Sequence, residues 1–206
     1  MLFKFLIYNK FKKRKWKRLS YQKRANAYQD IERIQAKKQH RKVYRVVFED
    51  LDSTRGVCYS NENIIKLNIY FLEDIEERFV GMATLFHEGR HAYQDHVVDG
   101  EKKWYKFKQN KWRKNMEGYL DSNNDKFSFY AMQPIERDAE AYAIKCLKKL
   151  RFRYGNDPSY VRALEQRSNS FVERKENAIK ELGVFYKLRV AFHSWVQRLK
   201  NKRRKK

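Results

Sequence analysis

The sequence has few cysteines and no long apolar run, and each shortage excludes a class of protein. Its two cysteines, Cys58 and Cys146, lie far apart and form no CxxC pair. We therefore expect no disulfide framework, but reduced thiols in a cytoplasmic protein. No apolar stretch approaches the roughly 20 residues that a membrane-spanning helix needs. The chain also has no internal repeat and no Gly-rich phosphate loop.

Acidic residues are scarce too: the chain has 25 Asp and Glu residues and 48 Lys and Arg residues, so its formal net charge is +23. The excess lies toward the ends, where residues 1–45 carry a net charge of +14 and seven of the last ten residues are basic. Residues 62–99 carry a net charge of −5 instead. This segregation predicts that polyanion binding and chemistry are separate tasks. The basic ends are candidates for contact with nucleic acid or an anionic membrane, and the C-terminal tail is expected to be disordered.

The first 20 residues combine a short apolar run with many lysines, and two interpretations remain open. Their apolar residues precede their charges, which is the reverse of a secretory signal. As a basic amphipathic segment, they would lie on an anionic membrane or on nucleic acid. Alternatively, the apolar side chains pack on the core while the lysines stay in solvent. These side chains are Leu2, Phe3, Phe5, Leu6 and Ile7.

The central motif is His87-Glu88-Gly89-Arg90-His91, which matches the pattern HExxH. Apolar residues at helical spacing surround it, and Asp74 followed by Glu77 predicts the start of a helix of about twenty residues. On a helix, His87 and His91 lie one turn apart on one face and could hold one zinc ion. Glu88 would lie beside the metal, where a general base is needed. A small residue at position 89 would let another backbone pass close to this helix.

A catalytic zinc usually takes a third protein ligand, and the sequence offers two candidates downstream. The metzincin pattern HExxHxxGxxH fails, because positions 94 and 97 are Gln and Val, and His96 lies off the ligand face. A second helix is predicted from Pro134, with Glu136 and Glu140 one turn apart on one side. One of them could bind the metal while the other orients a ligand histidine.

These two segments resemble those of a peptidase family. The strings HEGRHAYQ and PIERDAEAYA resemble the Glu-liganded zincin metallopeptidases, above all small bacterial and mobile-element peptidases with HExxHxxQ followed by PxExDAxxYA. The ImmA/IrrE-type peptidases are similar more loosely. The resemblance covers roughly residues 43–150. It implies Zn²⁺ bound by His87, His91 and Glu136, Glu88 as general base, and a short twisted sheet packed on the two motif helices.

The remaining patterns predict an α+β fold. Residues 43–51, 57–60 and 64–71 are predicted strands, and a strand just before the motif helix would suit the sheet edge that binds extended peptide in zincins. Residues 21–39 and 159–200 are predicted helical, with a chain break at Gly155–Pro158. We expect a basic N-terminal arm or helix at 1–42, a catalytic domain at 43–155 and a helical extension at 156–206.

The segment between the motif helices leaves two questions open. Residues 101–114 interleave seven basic residues with aromatic ones, which either stack on bases or cover the core. The aromatic residues are Trp104, Tyr105, Phe107 and Trp112. Residues 117–130 are predicted to form a loop, in which Tyr119 or Tyr130 could donate a hydrogen bond to an oxyanion.

The sequence therefore predicts a zinc metallopeptidase acting on a protein or peptide. The alternative is a basic protein that binds nucleic acid or a membrane surface and carries a structural or relict zinc site. A structural site would normally have four protein ligands. The lack of an evident fourth ligand favours the enzyme.

Overall fold

A computed structural model describes residues 2–100, 106–120 and 127–204 of the chain. The fold is α+β, and the described residues form eleven α-helices and a small three-stranded mixed sheet. The helices are α1 (Leu2–Asn9), α2 (Lys13–Lys17), α3 (Tyr21–Gln39), α4 (Tyr70–Glu73), α5 (Arg78–Asp99), α6 (Lys106–Glu117), α7 (Phe127–Ala131), α8 (Pro134–Lys148), α9 (Arg151–Tyr154), α10 (Pro158–Leu182) and α11 (Tyr186–Arg204). None of the helices in these ranges has the length and apolarity needed to cross a membrane.

The sheet comprises β1 (Arg45–Glu49), β2 (Gly56–Tyr59) and β3 (Ile64–Asn68), in the order β1-β3-β2. Strand β3 pairs with β1 in parallel and with β2 antiparallel. The three predicted strands are thus confirmed, except that β3 ends at Asn68 and the last two residues of the third predicted strand begin α4. Strand β3 is the most buried of them, as its β-branched and aliphatic residues suggest, while β1 and β2 are partly exposed.

The position of β3 corrects one expectation. The strand just before the motif helix was predicted to offer an open edge to a substrate, but β3 is the central strand. Both of its sides are already hydrogen-bonded, so its main chain cannot also pair with an extended peptide. The order of strands depends on pairing between distant segments, which local residue patterns do not report.

By packing, the chain divides into two compact units, residues 1–93 with 142–167, and residues 94–141 with 168–206. In the first unit, the N-terminal segment contributes to the core, since Ile7, Phe11 and Trp16 are buried among the residues of α3 and α5. Leu6 is exposed. The docked interpretation therefore holds for Ile7 but not for Leu6, and the side chains of residues 2, 3 and 5 lie outside the described part.

The second unit has its own small core, formed by Leu120, Met132 and residues of α10 and α11. Trp112 is buried, whereas Phe107 is almost fully exposed, so covering the core explains only the first of these aromatic residues. Trp104 and Tyr105 lie outside the described residues. Helix α11 continues to Arg204, so the expected disorder of the basic tail is wrong as far as that residue. The exposed His193 stacks on Phe129.

The ends of the two motif helices follow from local signals. Before α5, the Asp74 carboxylate accepts a hydrogen bond from the Glu76 amide at 2.7 Å, which caps a short 3₁₀ turn that leads into the helix. The Glu77 side chain pairs with Arg162 and does not complete a capping box. Pro134 begins α8, as predicted for a residue that lacks an amide hydrogen.

Candidate metal centre

Helix α5 places the two motif histidines side by side. His87 and His91 are one turn apart, and their Nε2 atoms lie 3.1 Å from each other. The rings meet edge to face, with centroids 4.8 Å apart. Both side chains are partly buried. Two imidazole nitrogens that converge in this way are arranged as ligands of one ion would be.

Helix α8 adds a carboxylate to this pair. Glu136 lies in the first turn of α8 and is buried. One ligand atom from each of His87, His91 and Glu136 can be chosen so that all three lie within 4.8 Å of one another. The structure thus brings together the two histidines and one of the two candidate carboxylates in a group that could hold a metal ion.

The other candidate ligands do not join this group. Glu140 is buried one turn further along α8 but is not part of the cluster. Asp138 accepts a hydrogen bond from the Gln94 side chain, which accounts for its position. His96 is likewise absent from the group, as its spacing from His91 predicted.

Polar side chains hold the first turn of α8, where Glu136 is located. The buried Asn115 accepts a hydrogen bond from the Ile135 amide at 3.2 Å and donates one to Gln133. The fully buried Gln133 exchanges hydrogen bonds with the main chain of Leu120. These contacts provide partners for polar groups at a buried helix start, which would otherwise lose their bonds to water.

Tyr119 orients the candidate carboxylate. Its hydroxyl donates a hydrogen bond to Glu136 Oε1 at 2.8 Å. Burial, and then the negative charge of Glu136, raise the pKa of Tyr119 well above its usual range, so the phenol keeps its proton. Tyr130 lies edge to face against Tyr119, with ring centroids 6.1 Å apart. The sequence left these two tyrosines as alternative oxyanion donors, and the structure places Tyr119 on the carboxylate.

Gln94 is a positioning residue that the sequence analysis missed. It lies one turn after His91 and is fully buried. Its Nε2 donates to the carbonyl of Ile135 at 2.9 Å and to Asp138 Oδ2 at 3.0 Å. These bonds tie α5 to the first turn of α8 on either side of Glu136. The signal was present as the last residue of HExxHxxQ, but the sequence pattern gave this Gln no role of its own.

Gly89 lies inside the motif against a buried ion pair. A Cβ at this position would lie 3.1 Å from Arg41 Nη2 and 3.4 Å from Glu32 Oε2. Arg41 binds both oxygens of Glu32, at 2.6 and 2.8 Å, and both side chains are almost fully buried. The expected close approach at Gly89 therefore exists, but side chains make it and not another backbone.

Glu88 is buried at 8% exposure, directly beside the first histidine. Within the described ranges, no hydrogen bond or ion pair holds its carboxylate. Its oxygens are not among the fully buried polar atoms that lack a partner, so the carboxylate keeps some contact with solvent. Its placement is that of a group which would bind water or a ligand.

The geometry of the group fits a metal ion. A zinc ion binds imidazole nitrogen and carboxylate oxygen at about 2.0–2.2 Å, so two ligands of one ion lie at most about 4.3 Å apart. The three ligand atoms lie within 4.8 Å of one another already. Side-chain movements of less than about 1 Å would bring them to one ion. Two nitrogens and one carboxylate oxygen also leave room for a further ligand.

Comparisons with protein-family models, with curated proteins and with solved structures find no match to this chain. The zincin resemblance therefore rests on the two motifs alone. The fold comparison with zincins, and the enzymatic activity that the resemblance implies, stay predictions.

Proposed function

We propose that the protein is a zinc-dependent metallopeptidase. The observation that carries this proposal is the group of His87, His91 and Glu136, with the buried carboxylate of Glu88 next to it. Two His and one Glu with an open position are a ligand set of catalytic zinc. The ion would act as a Lewis acid, which would polarise a peptide carbonyl and lower the pKa of the attacking water to about 7.

In this proposal, Glu88, Tyr119 and Gln94 have separate roles. Glu88 accepts a proton from the attacking water and passes it to the departing amine, so that a single carboxylate serves both steps. Tyr119 holds the Glu136 carboxylate in one orientation through its 2.8 Å hydrogen bond. Gln94 keeps the first turn of α8 in register with α5.

The metal assignment is tested by elemental mass spectrometry on the purified protein. We expect about one zinc per chain in the wild type, as a three-ligand site implies, and loss of zinc in Glu136→Gln. Glu140→Gln is the matched control, since it changes a second buried glutamate one turn along the same helix. Loss in the Glu140 variant alone, or iron in place of zinc, would contradict the proposed site.

The enzymatic assignment is tested separately with Glu88→Gln. This variant should keep its zinc and lose at least about 100-fold in the rate of peptide cleavage, because a general base contributes about 10²–10⁴. A fluorogenic peptide library provides the readout, with elemental analysis on the same sample. Unchanged hydrolysis in the zinc-loaded variant would refute the role of Glu88. Zinc without any hydrolysis in the wild type would refute the peptidase.

A further inference from the structure

Helix α11 carries apolar residues on two opposite sides. One side packs into the protein, where Tyr186, Val190 and Ser194 are at most 7% exposed. The opposite side is exposed, and it comprises Leu188, Phe192, Trp195 and Leu199, together with Phe185 directly before the helix, with exposures that fall from 71% at Phe185 to 40% at Leu199. At about 100° per residue, the centres of the two sides are about 170° apart. We call the second set the outer face of α11.

The outer face is a concentration of apolar surface and not a scatter of single residues. Fifteen large apolar side chains are exposed in the part of the chain that the structure describes, and six of them lie between residues 184 and 199. The five residues of the outer face follow each other at intervals of three and four, so they form one stripe. Contiguous apolar surface of this kind marks an interaction site.

The charges on α11 indicate what this stripe contacts. The helix contains seven Lys and Arg residues and no Asp or Glu. On the helical wheel, Arg189 and Lys200 flank the outer face on one side, and Lys187 and Arg198 flank it on the other. Arg198 lies 3.9 Å from the carboxylate of Glu117. Aromatic and aliphatic residues between two rows of basic residues are typical of a helix that lies in a membrane interface.

We propose that the outer face of α11 binds an anionic lipid bilayer, with the helix parallel to the membrane plane. Its apolar side chains would enter the boundary between headgroups and acyl chains, while the flanking basic side chains reach lipid phosphates. A second copy of the chain is a poorer occupant, because two helices without acidic residues would repel each other. A nucleic acid strand supplies phosphates but no apolar phase for Leu188 and Leu199.

The test is co-sedimentation of the full chain with vesicles of phosphatidylcholine, either alone or mixed with phosphatidylserine. We expect binding to the mixed vesicles that weakens as salt rises, and little binding to phosphatidylcholine alone. Phe192→Asp and Trp195→Asp should each lower the affinity at least about tenfold, because each removes an aromatic ring and adds a repelled charge. Phe152→Asp is the matched control, since Phe152 is 79% exposed on α9, in the other unit.

A second measurement reads the outer face directly. Brominated acyl chains should quench the fluorescence of the wild type, and Trp195→Phe should remove most of that quenching, while far-ultraviolet circular dichroism shows that the variants are folded. Binding that survives both Asp substitutions, or no binding to the anionic vesicles, would overturn the proposal. So would a dimer in sedimentation velocity that both substitutions dissociate, because the occupant would then be a second copy.

Discussion

At the scale of single residues, the buried Glu32–Arg41 pair behind Gly89 is expected to be the most sensitive charged contact. Arg41→Met should destabilise the protein by about 3–5 kcal/mol, because it leaves the Glu32 carboxylate buried without its partner. Arg33→Met is the control, since Arg33 pairs with Asp30 at 2.8 Å while its side chain is 60% exposed. An exposed pair contributes at most about 1 kcal/mol. Urea unfolding measures both, and similar small losses would contradict the prediction.

Tyr119 is the second residue with a contact that leads to a quantitative expectation. Tyr119→Phe keeps the ring but removes the hydroxyl, which donates to Glu136 Oε1 and also interacts with Tyr130. Loss of a partner that orients a metal ligand typically lowers metal affinity by about 10–100-fold. Competition with a chromophoric chelator measures the change, and Tyr21→Phe serves as the control because Tyr21 contacts Glu73 at the exposed start of α3. Equal zinc affinity in the two variants would show that Tyr119 does not orient the ligand.

At the scale of elements, two glutamine side chains make comparable contacts. Gln94 of α5 bonds the first turn of α8, which carries Glu136, whereas Gln109 of α6 bonds the C-terminal end of α5. Gln94→Leu should lower zinc affinity by about tenfold or more, because it frees the first turn of α8 from α5. Gln109→Leu also removes an amide that bonds two carbonyls, those of Val98 and Gly100, but these lie at the far end of α5. We expect the control to change stability alone. A similar loss of affinity in both would mean that α5 as a whole, and not the Gln94 contact, sets the site.

The elements also show which features a single sequence can predict. Residues 21–39 are confirmed as a helix and the three strands are confirmed in place, because helical periodicity, strand composition and turn residues are local signals. The sequence also predicted that His87, His91 and Glu136 could bind one ion, and the structure places these three side chains in one group. Their roles in catalysis stay predictions. The contacts that Tyr119, Gln94 and Arg41 make could not be predicted from the sequence, because each depends on packing between separate segments of the chain.

At the scale of the whole molecule, charge and burial have to be weighed together. The net charge of +14 in residues 1–45 left open whether the first residues bind a polyanion or pack on the core. Phe11, Trp16 and Tyr28 are nevertheless fully buried, and their rings meet at centroid distances of 4.8 to 5.7 Å. Burying three aromatic side chains outweighs the repulsion of solvated lysines, since each contributes about 1.5–3 kcal/mol. Charge composition alone therefore does not decide the place of this segment, and the partners of its basic residues stay a prediction.

The same excess of positive charge predicts weak resistance to acid. Protonation of all 25 carboxylates would leave the 48 basic residues without opposing charge, and their repulsion favours the unfolded chain. One carboxylate adds to this trend. Hydrogen bonds from Lys13 and then from Ser159 lower the pKa of Glu76 to about 2 from 4.5. A group whose pKa is lower in the folded state stabilises the protein above its unfolded pKa, and this contribution is lost as pH falls from about 4.5 through about 2.

Glu76→Gln should therefore lower stability at neutral pH by up to about 1 kcal/mol, since the carboxylate and Lys13 are both partly exposed. The difference from wild type should shrink as pH falls below about 4.5, because the unfolded wild-type chain takes up a proton at this carboxylate there, while the folded chain does so only near pH 2. Glu165→Gln, at an exposed position of α10, is the control and should follow the wild type at every pH. Urea unfolding between neutral pH and pH 3 measures all three chains. A constant difference for Glu76→Gln across that range would mean that the contribution of Glu76 is packing, and not charge.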